Sequence, residues 1–336
     1  MIRRLLLVSA LLLAGCTSVS DVGVADTPAA AGACGVTTAK LDSEDVTPLD
    51  PRPVPALPVT VDSADGRRVT VTSADRILAV NLYGSLGELV FSLGLGDRLI
   101  GRDTSTTFPS VAKLPLVTPQ GHDLSAEAVL KLDPTVLLAD DSIGPATVLD
   151  QVRKAGIPVV IVDDTQTLDS VPKHIRAVAA ALGVAEAGER LVTRVQTEID
   201  TARKGAPADG RKLRIAFLYV RGTAGVFLIG GKGAGSDAMI EAIGATDAGS
   251  AVGLTKFRPL TSEGLINAAP DVILVMTEGL NSVGGVDGLL ELPGVAQTPA
   301  GANRRVVDMD DGILLNFGGR TGEAVAALSK AVYGPC

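Results

Sequence analysis

Aromatic residues and histidine are scarce in this chain of 336 residues. It has no tryptophan, six phenylalanines, three tyrosines and two histidines. An aromatic cage for a large quaternary or planar organic ligand is therefore poorly supplied, whereas valine, leucine and isoleucine can build apolar cleft walls. Two histidines are too few for a zinc or manganese receptor that uses several imidazole ligands.

Positive charge and catalytic motifs are also in short supply. Lysine and arginine number 30 against 38 aspartates and glutamates, so the net charge is −8 and nucleic-acid binding is not expected. The sequence contains neither a Walker A phosphate loop nor a serine-nucleophile elbow. His122 is the only histidine suited to a cleft, and no convergent acid, base and nucleophile set accompanies it, so we expect no enzymatic activity.

The N-terminus has the features of a secretion signal. Arg3 and Arg4 precede an apolar run over residues 5–13, which is too short to span a bilayer. The sequence Leu-Ala-Gly-Cys ending at Cys16 resembles a bacterial lipobox, in which cleavage precedes the cysteine and the cysteine carries lipid; a plain signal peptide with a chance cysteine is the alternative. We expect a signal peptide over residues 1–15 and an anchor at the extracytoplasmic face of the cell membrane.

Residues 16–58 are rich in alanine, threonine, serine, aspartate and proline, and they show no sustained hydrophobic period. This composition predicts a flexible, lipid-anchored tether that holds a soluble body off the membrane. If Cys16 is acylated, Cys34 and Cys336 remain. An even pair of cysteines outside the cytoplasm predicts a disulfide, with two free thiols as the alternative.

One motif occurs twice in the chain. Residues 124–138 and 260–274 each contain a helix opened by a hydroxyl residue, a carboxylate in its first turn, a proline that stops it and an apolar strand. Glu127 and Glu263 hold the same place in the two copies, 136 positions apart. Two such copies predict two similar lobes with a cleft between them.

Apolar runs bounded by turns alternate with helical periods through the rest of the chain. This alternation predicts an α/β fold with two Rossmann-like lobes. Apolar residues at helical spacing predict one connecting helix of about 30 Å. The expected segments are an N-terminal lobe over 59–183, the connecting helix over 184–204 and a C-terminal lobe over 205–336. The predicted strands cover 76–81, 99–102, 135–139, 158–162, 213–220, 225–229, 271–276 and 305–308.

Hydroxyl residues, prolines and apolar periods also locate the helices. Glu88 stands three residues after Ser85 and is expected to complete a capping box there. His174 lies on the flank of an apolar helical stripe and is expected to be solvated. The predicted helices begin at Ser85, Ser125, Pro145 and Ser170 in the first lobe and cover 236–243, 262–268 and 321–333 in the second.

The lipoprotein signal, the two lobes, the single connecting helix and the paired glutamate motifs together resemble the class III substrate-binding proteins of ABC importers. The resemblance covers residues 70–333, and the segment 86–103 is similar to the family's opening strand–helix–strand. It implies transport of a siderophore, cobalamin or heme. It also implies that Glu127 and Glu263 dock onto arginines of the membrane permease, although each could instead be a first-turn acid that stabilises its helix.

A histidine in one lobe and a tyrosine–arginine pair in the other indicate an iron ligand set. His122 lies in the turn that leads into the first glutamate helix, where loops of an open α/β lobe line the cleft. Tyr219 and Arg221 point the same way near a strand end, about 6.5–7 Å apart. A tyrosine binds iron best as the phenolate, a nearby arginine favours that form, and tyrosine is a known axial ligand of heme iron. This set is similar to that of actinobacterial hemin-binding lipoproteins of the HmuT type, which implies His122 and Tyr219 as axial ligands and Arg221 as support for the phenolate.

Several residue roles and the ligand itself stay open at this point. A strand-end tyrosine could simply pack, and a loop histidine could simply be polar. Arg102, Lys256 and Arg258 could meet heme propionates or be solvated loop charges, and Ser236 opens a helix after a glycine-rich loop that could bind a carboxylate. The expected function is capture of heme and its delivery to the permease and ATPase of an ABC importer by a monomeric protein. The alternative keeps this role with a ferric siderophore or a corrinoid.

Overall fold

The structure is a computed structural model. It describes residues 35–119, 121–205 and 212–335. The predicted signal peptide and the cysteines Cys16, Cys34 and Cys336 lie outside these residues. Across the described ranges, no helix combines the length and apolarity needed to cross a membrane. The chain folds into two α/β lobes joined by a long helix, which confirms the predicted fold class.

The first strand of the described chain, β1 (Val36–Ala39), belongs to the sheet of the second lobe. The first lobe follows, with a central parallel sheet in the order β4-β5-β6. Alternate side chains of these strands enter two apolar clusters, so both faces of the sheet are covered. The elements of this lobe are β2 (Val59–Asp62), β3 (Arg68–Val71), β4 (Ile77–Ala79), α1 (Ser85–Val90), α2 (Ala126–Lys131), β5 (Val136–Ala139), α3 (Ala146–Lys154), β6 (Val159–Ile161) and α4 (Val171–Ala181).

The second lobe is built on a larger mixed sheet in the order β1-β12-β11-β7-β8-β10, with β9 beside β7. Strands β1, β12, β11 and β7 run parallel, whereas β8 and β10 are antiparallel to their neighbours. The connecting helix and the elements of this lobe are α5 (Ala185–Lys204), β7 (Arg214–Arg221), β8 (Val226–Gly230), α6 (Ser236–Ala242), β9 (Thr246–Asp247), α7 (Ala248–Ala251), β10 (Phe257–Pro259), α8 (Ser262–Ala268), β11 (Val272–Met276), α9 (Thr277–Asn281), α10 (Gly285–Leu290), α11 (Pro299–Ala302), β12 (Val306–Met309) and α12 (Thr321–Tyr333).

The predicted helices over 262–268 and 321–333 have the bounds that α8 and α12 show. The predicted strand over 99–102 is wrong, because Leu99 and Arg102 make only isolated bridges to neighbouring segments. His174 is also not solvated. It is buried on α4, with its Nε2 3.5 Å from a carboxylate oxygen of Asp163, and burial lowers the pKa of its imidazole.

The described part of the predicted tether, residues 35–58, is folded, so the prediction of a flexible linker is wrong there. Strand β1 pairs in parallel with β12 and becomes the edge of the second lobe's sheet. The hydroxyl of Thr37 donates a hydrogen bond of 3.0 Å to the carbonyl of Ala331 on α12. One short strand with two threonines gave no periodic signal, which is why its composition was mistaken for a linker.

After β1, residues 40–58 cross from the second lobe to the first, and we call this segment the strap. Arg190 and Arg194 on α5 donate hydrogen bonds to backbone carbonyls of strap residues 47–51. Further along, the amide of Ala56 donates to the carbonyl of Gly183 at 2.9 Å, at the end of the first lobe. The strap therefore lies along the connecting helix and joins the lobes a second time.

The two repeat helices are capped alike, as their sequences predict. The side chain of Ser125 accepts a hydrogen bond from the third amide beyond it at the start of α2, and Thr261 does the same for α8, at 3.2 and 3.1 Å. Both hydroxyls satisfy amides that a helix leaves without internal partners. The orientation of each helix is thereby fixed at its N-terminal end.

The other ends of these helices also match, through residues that the repeat motif does not include. Arg76, just before β4, donates hydrogen bonds to carbonyls at the end of α2, and Arg214, at the start of β7, donates to the carbonyl of Ala268 at the end of α8. The residue before each helix-stopping proline has a positive φ, 45° at Asp133 and 42° at Ala269. The two repeat segments are thus equivalent in backbone geometry as well as in pattern.

A buried ion pair joins the lobes, and it replaces the expected capping box. Helix α1 begins after Gly84 with no side-chain cap, and Glu88 instead meets Arg320 of the second lobe. One oxygen of Glu88 accepts the backbone N–H of Arg320 at 3.0 Å, and the other accepts the guanidinium at 3.1 Å. The side chains are only 2% and 5% exposed. The local sequence favours a capping role for Glu88, but its carboxylate instead binds Arg320, which lies 232 positions away.

Candidate ligand-binding site

Tyr219 and Arg221 lie on one face of β7, near the strand's carboxyl end. The guanidinium carbon of Arg221 is 4.5 Å from the centre of the Tyr219 ring, so the cation stacks over the aromatic face. Both side chains are half-buried. The alternation of side chains along a strand predicts this contact, and the structure brings the two residues together.

Arg221 is held in place by a carboxylate that the sequence did not single out. Its guanidinium is 2.6 Å from an oxygen of Asp311, just beyond β12, and it also donates to the carbonyl of Val220. The second oxygen of Asp311 accepts the backbone N–H of Glu278 at 2.9 Å. Burial raises the pKa of Asp311, and the charge of Arg221 opposes that rise. An acidic residue three positions beyond the predicted strand over 305–308 was the available signal.

Aromatic rings extend the wall beside Tyr219. The ring of Phe257 on β10 is 6.0 Å from the Tyr219 ring in a tilted arrangement and 6.1 Å from the Phe217 ring in an edge-on arrangement. These separations are typical of favourable aromatic pairs. Although the chain has few aromatic residues, three of them gather on this part of the second lobe, where Phe217 is fully buried and Phe257 is half-buried beside Tyr219.

His122 stands on the first lobe, on an exposed turn before α2. The carbonyl of the preceding residue, Gly121, accepts a hydrogen bond of 2.8 Å from the hydroxyl of Thr104, which anchors the turn. Within the described part of the chain, the imidazole makes no hydrogen bond or ring contact with Tyr219 or Arg221. The structure therefore leaves His122 accessible to solvent and separate from the tyrosine–arginine pair.

Tyr83 is a second phenol of the site that sequence reasoning missed. It follows β4 at the carboxyl edge of the first lobe's sheet, and its carbonyl accepts a hydrogen bond of 3.1 Å from Asn316 of the other lobe. Burial raises the pKa of Tyr83, and nearby Asp140 and Tyr219 raise it further. The raised pKa of Tyr83 favours its protonated phenol, in contrast to the phenolate that iron binding requires.

Beneath Tyr83, a buried polar network joins the ends of β4 and β5. The side-chain amide of Asn81 donates to Asp140 at 2.8 Å, and the backbone N–H of Ser142 donates to the same carboxyl group at 3.0 Å. Burial raises the pKa of Asp140 to about 6, against the lowering effect of these hydrogen bonds. The network fixes the loop that carries Tyr83.

The remaining predicted ligand contacts are scattered. Arg102 is half-buried and donates to the carbonyls of its own loop, whereas Lys256 and Arg258 are exposed, and Arg258 reaches a threonine hydroxyl at 3.3 Å. Ser236 has no exposed surface, and its Oγ lies so close to Gly230 that an added Cβ there would be 2.6 Å away. The Ser236 side chain is therefore buried in this conformation, and the expected carboxylate contact at the start of α6 stays a prediction.

Glu127 and Glu263 occupy equivalent first-turn positions of α2 and α8, and both are exposed. Neither carboxylate pairs with a cation among the residues that the structure describes. The helices stand on different lobes, so the two charges sit on separate lobe surfaces. They are free to meet a partner that spans both lobes.

Solved structures of similar fold include heme-binding proteins. The crystal structure of heme binding protein HmuT superposes with a TM-score of 0.84 and 41% identity, over 89% of this chain and 97% of that one. Variants of HmuT with a single histidine, tyrosine or arginine replaced by alanine match equally well. The periplasmic heme-binding protein RhuT from Roseiflexus sp. RS-1, in apo form, gives 0.73 and 43% identity over 78% and 98% of the two chains.

The sequence matches agree on the class of protein. A family model described as periplasmic binding protein matches residues 80–312. An uncharacterized ABC transporter substrate-binding lipoprotein of Bacillus subtilis, YvrC, is 29% identical over 282 residues, which are 82% of this chain and 86% of that protein. The vitamin B12-binding protein of Pectobacterium carotovorum is 29% identical over 141 residues, and the match spans only about half of its length, 51%.

Proposed function

The chain belongs to the periplasmic binding protein family, and from that premise we propose that it binds heme outside the cytoplasm and delivers it to an ABC importer. The observation that carries the proposal is the stack of Arg221 on Tyr219, with Arg221 fixed by Asp311. This arrangement suits an iron-binding phenolate better than a packing tyrosine, because a packing residue needs no fixed cation over its ring.

Charge balance supports a ferric heme at this position. In ferric heme, the iron and the porphyrin ring that binds it together carry one net positive charge. A phenolate from Tyr219 would cancel this charge. Arg221 and Asp311 form a second neutral pair at 2.6 Å. Bringing these four charges together therefore adds no net charge to a half-buried site, which limits the desolvation cost.

The similar proteins support the same ligand. HmuT and RhuT are described as heme-binding, and the tyrosine and arginine replaced in the HmuT variants lie two positions apart, as Tyr219 and Arg221 do. A histidine was replaced in a third variant. The residue types therefore coincide with the set assigned to this chain, in which His122 supplies the second axial ligand from the other lobe.

Unequal roles follow for the two axial ligands. The phenolate of Tyr219 compensates ferric charge, whereas a neutral imidazole from His122 does not. His122 sits on an exposed turn of the other lobe, so its imidazole is accessible to a heme held by Tyr219. Tyr219 is thus the residue that captures heme, and His122 completes the coordination.

Delivery requires a position at the membrane and a surface for the permease. Lipidation of Cys16 would anchor the chain at the extracytoplasmic face, and YvrC is described as a lipoprotein of this class. Glu127 and Glu263, exposed on equivalent helices, would pair with permease cations, while the ATPase supplies the energy from inside. The protein itself needs no catalytic step for this role.

The test is hemin titration of the purified protein, followed by the Soret band. Tyr219→Phe keeps the ring and removes the oxygen, and it should weaken binding by about 100-fold, equivalent to about 2.7 kcal/mol. His122→Ala should weaken it less, by about tenfold. Tyr333→Phe, a tyrosine on α12, is the matched control. Affinities of both ligand variants equal to that of the unaltered protein would refute the ligand assignment.

A corrinoid is the second candidate ligand, because the vitamin B12-binding proteins match part of the chain. A corrinoid carries its own cobalt ligands and needs no phenolate from the protein. Titration with cyanocobalamin under the same conditions separates the two cases. Tight cyanocobalamin binding that Tyr219→Phe leaves unchanged, together with weak hemin binding, would favour the corrinoid.

A further inference from the structure

Each glutamate helix exposes a large apolar side chain one turn after its glutamate. Leu130 on α2 is 40% exposed, and Ile266 on α8 is 45% exposed. They follow Glu127 and Glu263 by three residues each, so they too are 136 positions apart. Residues three apart on a helix lie on the same face, so each carboxylate has an apolar neighbour beside it.

The pairing is specific to this position of the fold. Across the described residues, the large apolar side chains that are at least as exposed as Leu130 are Val36, Val54, Leu116 and Ile266. Single exposed apolar residues are ordinary on protein surfaces. Two that fall at one position of a repeat, each beside an exposed carboxylate, indicate a shared role rather than chance.

The helices hold these side chains in a fixed direction. Val129 and Leu265, the residues just before them, are fully buried and face the cores of their lobes. Hydroxyl caps hold the N-terminal ends, and Arg76 and Arg214 hold the C-terminal ends. The two glutamate–apolar pairs are therefore presented rigidly, which lowers the entropy lost on binding a partner.

Resting on the proposed transport function, we propose that Leu130 and Ile266 are part of the permease-docking surface. Each docking point on the permease then consists of a cationic side chain beside an apolar recess. The carboxylates supply orientation and salt-sensitive attraction, and the apolar side chains supply affinity that salt does not screen. Charge complementarity favours the permease as the occupant, because exposed carboxylates on two separate lobes need a partner that reaches both.

The two docking points are not identical. Lys131 follows Glu127 by four residues and is exposed, whereas the equivalent position of the second lobe holds Asn267. A lysine at that spacing lies close to the glutamate, and its positive charge partly offsets the negative charge of the carboxylate. The first-lobe point therefore attracts a cation less strongly, and the apolar contact of Leu130 carries a larger share of its affinity than Ile266 does.

The test uses right-side-out membrane vesicles from source-bacterium cells that lack this protein, supplied with ATP inside. Radioiron-labelled hemin loaded on the full-length chain is added at increasing concentration, and uptake is recorded at several salt concentrations. The apolar variant combines Leu130→Gln with Ile266→Gln, the charge variant combines Glu127→Gln with Glu263→Gln, and Val54→Gln is the control for an exposed apolar residue elsewhere.

We expect the apolar variant to raise the half-saturating concentration roughly tenfold, as loss of a partly buried aliphatic contact at each point would. Its dependence on salt should match that of the unaltered protein, whereas the charge variant should lose most of that dependence. Hemin affinity in solution should be unchanged in both.

Uptake by the apolar variant equal to that of Val54→Gln would overturn the inference while leaving the proposed function intact. Failure of the proposed function looks different, because then the unaltered protein itself would bind no hemin or drive no uptake. A flattened salt dependence in the apolar variant would also contradict the inference, since it would mean that the substitutions act through the glutamates.

Discussion

Replacing Glu88 with alanine is expected to lower the free energy of unfolding by about 3–5 kcal/mol, the usual cost of breaking a buried ion pair. The size of this loss follows from the few partners that Arg320 keeps when Glu88 is removed. Arg320 is 5% exposed, and without Glu88 its guanidinium keeps the carbonyl of Glu44, at 3.1 Å, and a distant stack on Phe108 as its partners. Adding up the two lost hydrogen bonds and the ion pair separately would overcount, because both side chains also regain hydration on unfolding.

Two further variants separate charge from shape. Glu88→Gln keeps an acceptor for the backbone N–H of Arg320 but removes the charge, so it should cost less than Glu88→Ala. Glu88→Leu combined with Arg320→Met removes both charges and should recover most of the loss, since apolar pairs of similar volume often replace buried ion pairs without penalty. Stability of the double variant as low as that of Glu88→Ala would mean that shape, rather than an unpaired charge, determines the cost.

Urea titration followed by circular dichroism measures the free energy of unfolding by linear extrapolation. The control is Glu189→Ala, which removes an exposed partner of Arg176 at 2.8 Å and should change stability far less. An unfolding free energy for Glu88→Ala within about 1 kcal/mol of the unaltered protein would refute the reasoning, because that range is typical of exposed pairs.

Three other outcomes are expected. Burial raises the pKa of Asp140 from 3.8 to about 6, so the folded state holds this proton more tightly than the unfolded chain does. The free energy of unfolding should therefore fall as pH rises from about 4 to about 6. In urea titrations at several pH values, Asp140→Asn should reduce this dependence of stability on pH. Arg221→Gln should weaken hemin binding by about 10–100-fold in Soret titrations, as is usual when the partner of a metal ligand is removed, and an unchanged affinity would contradict its role. Cys34 and Cys336 should form a disulfide, seen by mass spectrometry of the unreduced protein as the absence of free thiols.

The repeat made the architecture predictable. Matched motifs 136 positions apart indicated two lobes, and period-2 alternation placed Tyr219 and Arg221 on one strand face, where the structure has them in contact. Both inferences depend on contacts within one element or between copies of one pattern. Such contacts leave a regular trace in the sequence, and the sequence alone was enough to find them.

Contacts between distant segments left no such trace. The partner of Glu88 lies 232 positions away, and Asp311 reaches Arg221 across 90 positions. No local pattern distinguishes Glu88 from a capping residue. The strap was missed for a related reason, because it is held by its backbone carbonyls and by single buried side chains such as Leu49, which form no periodic run.

The strap has a mechanical consequence for how the cleft opens. Two lobes joined at a single point can rotate relative to each other in any direction. Two lobes joined at two neighbouring points rotate mainly about the axis through both points. Helix α5 and the strap are two such attachments, held together by Arg190 and Arg194. We expect these two attachments to restrict the direction in which the lobes turn, so that the distance between Glu127 and Glu263 would change as the cleft closes.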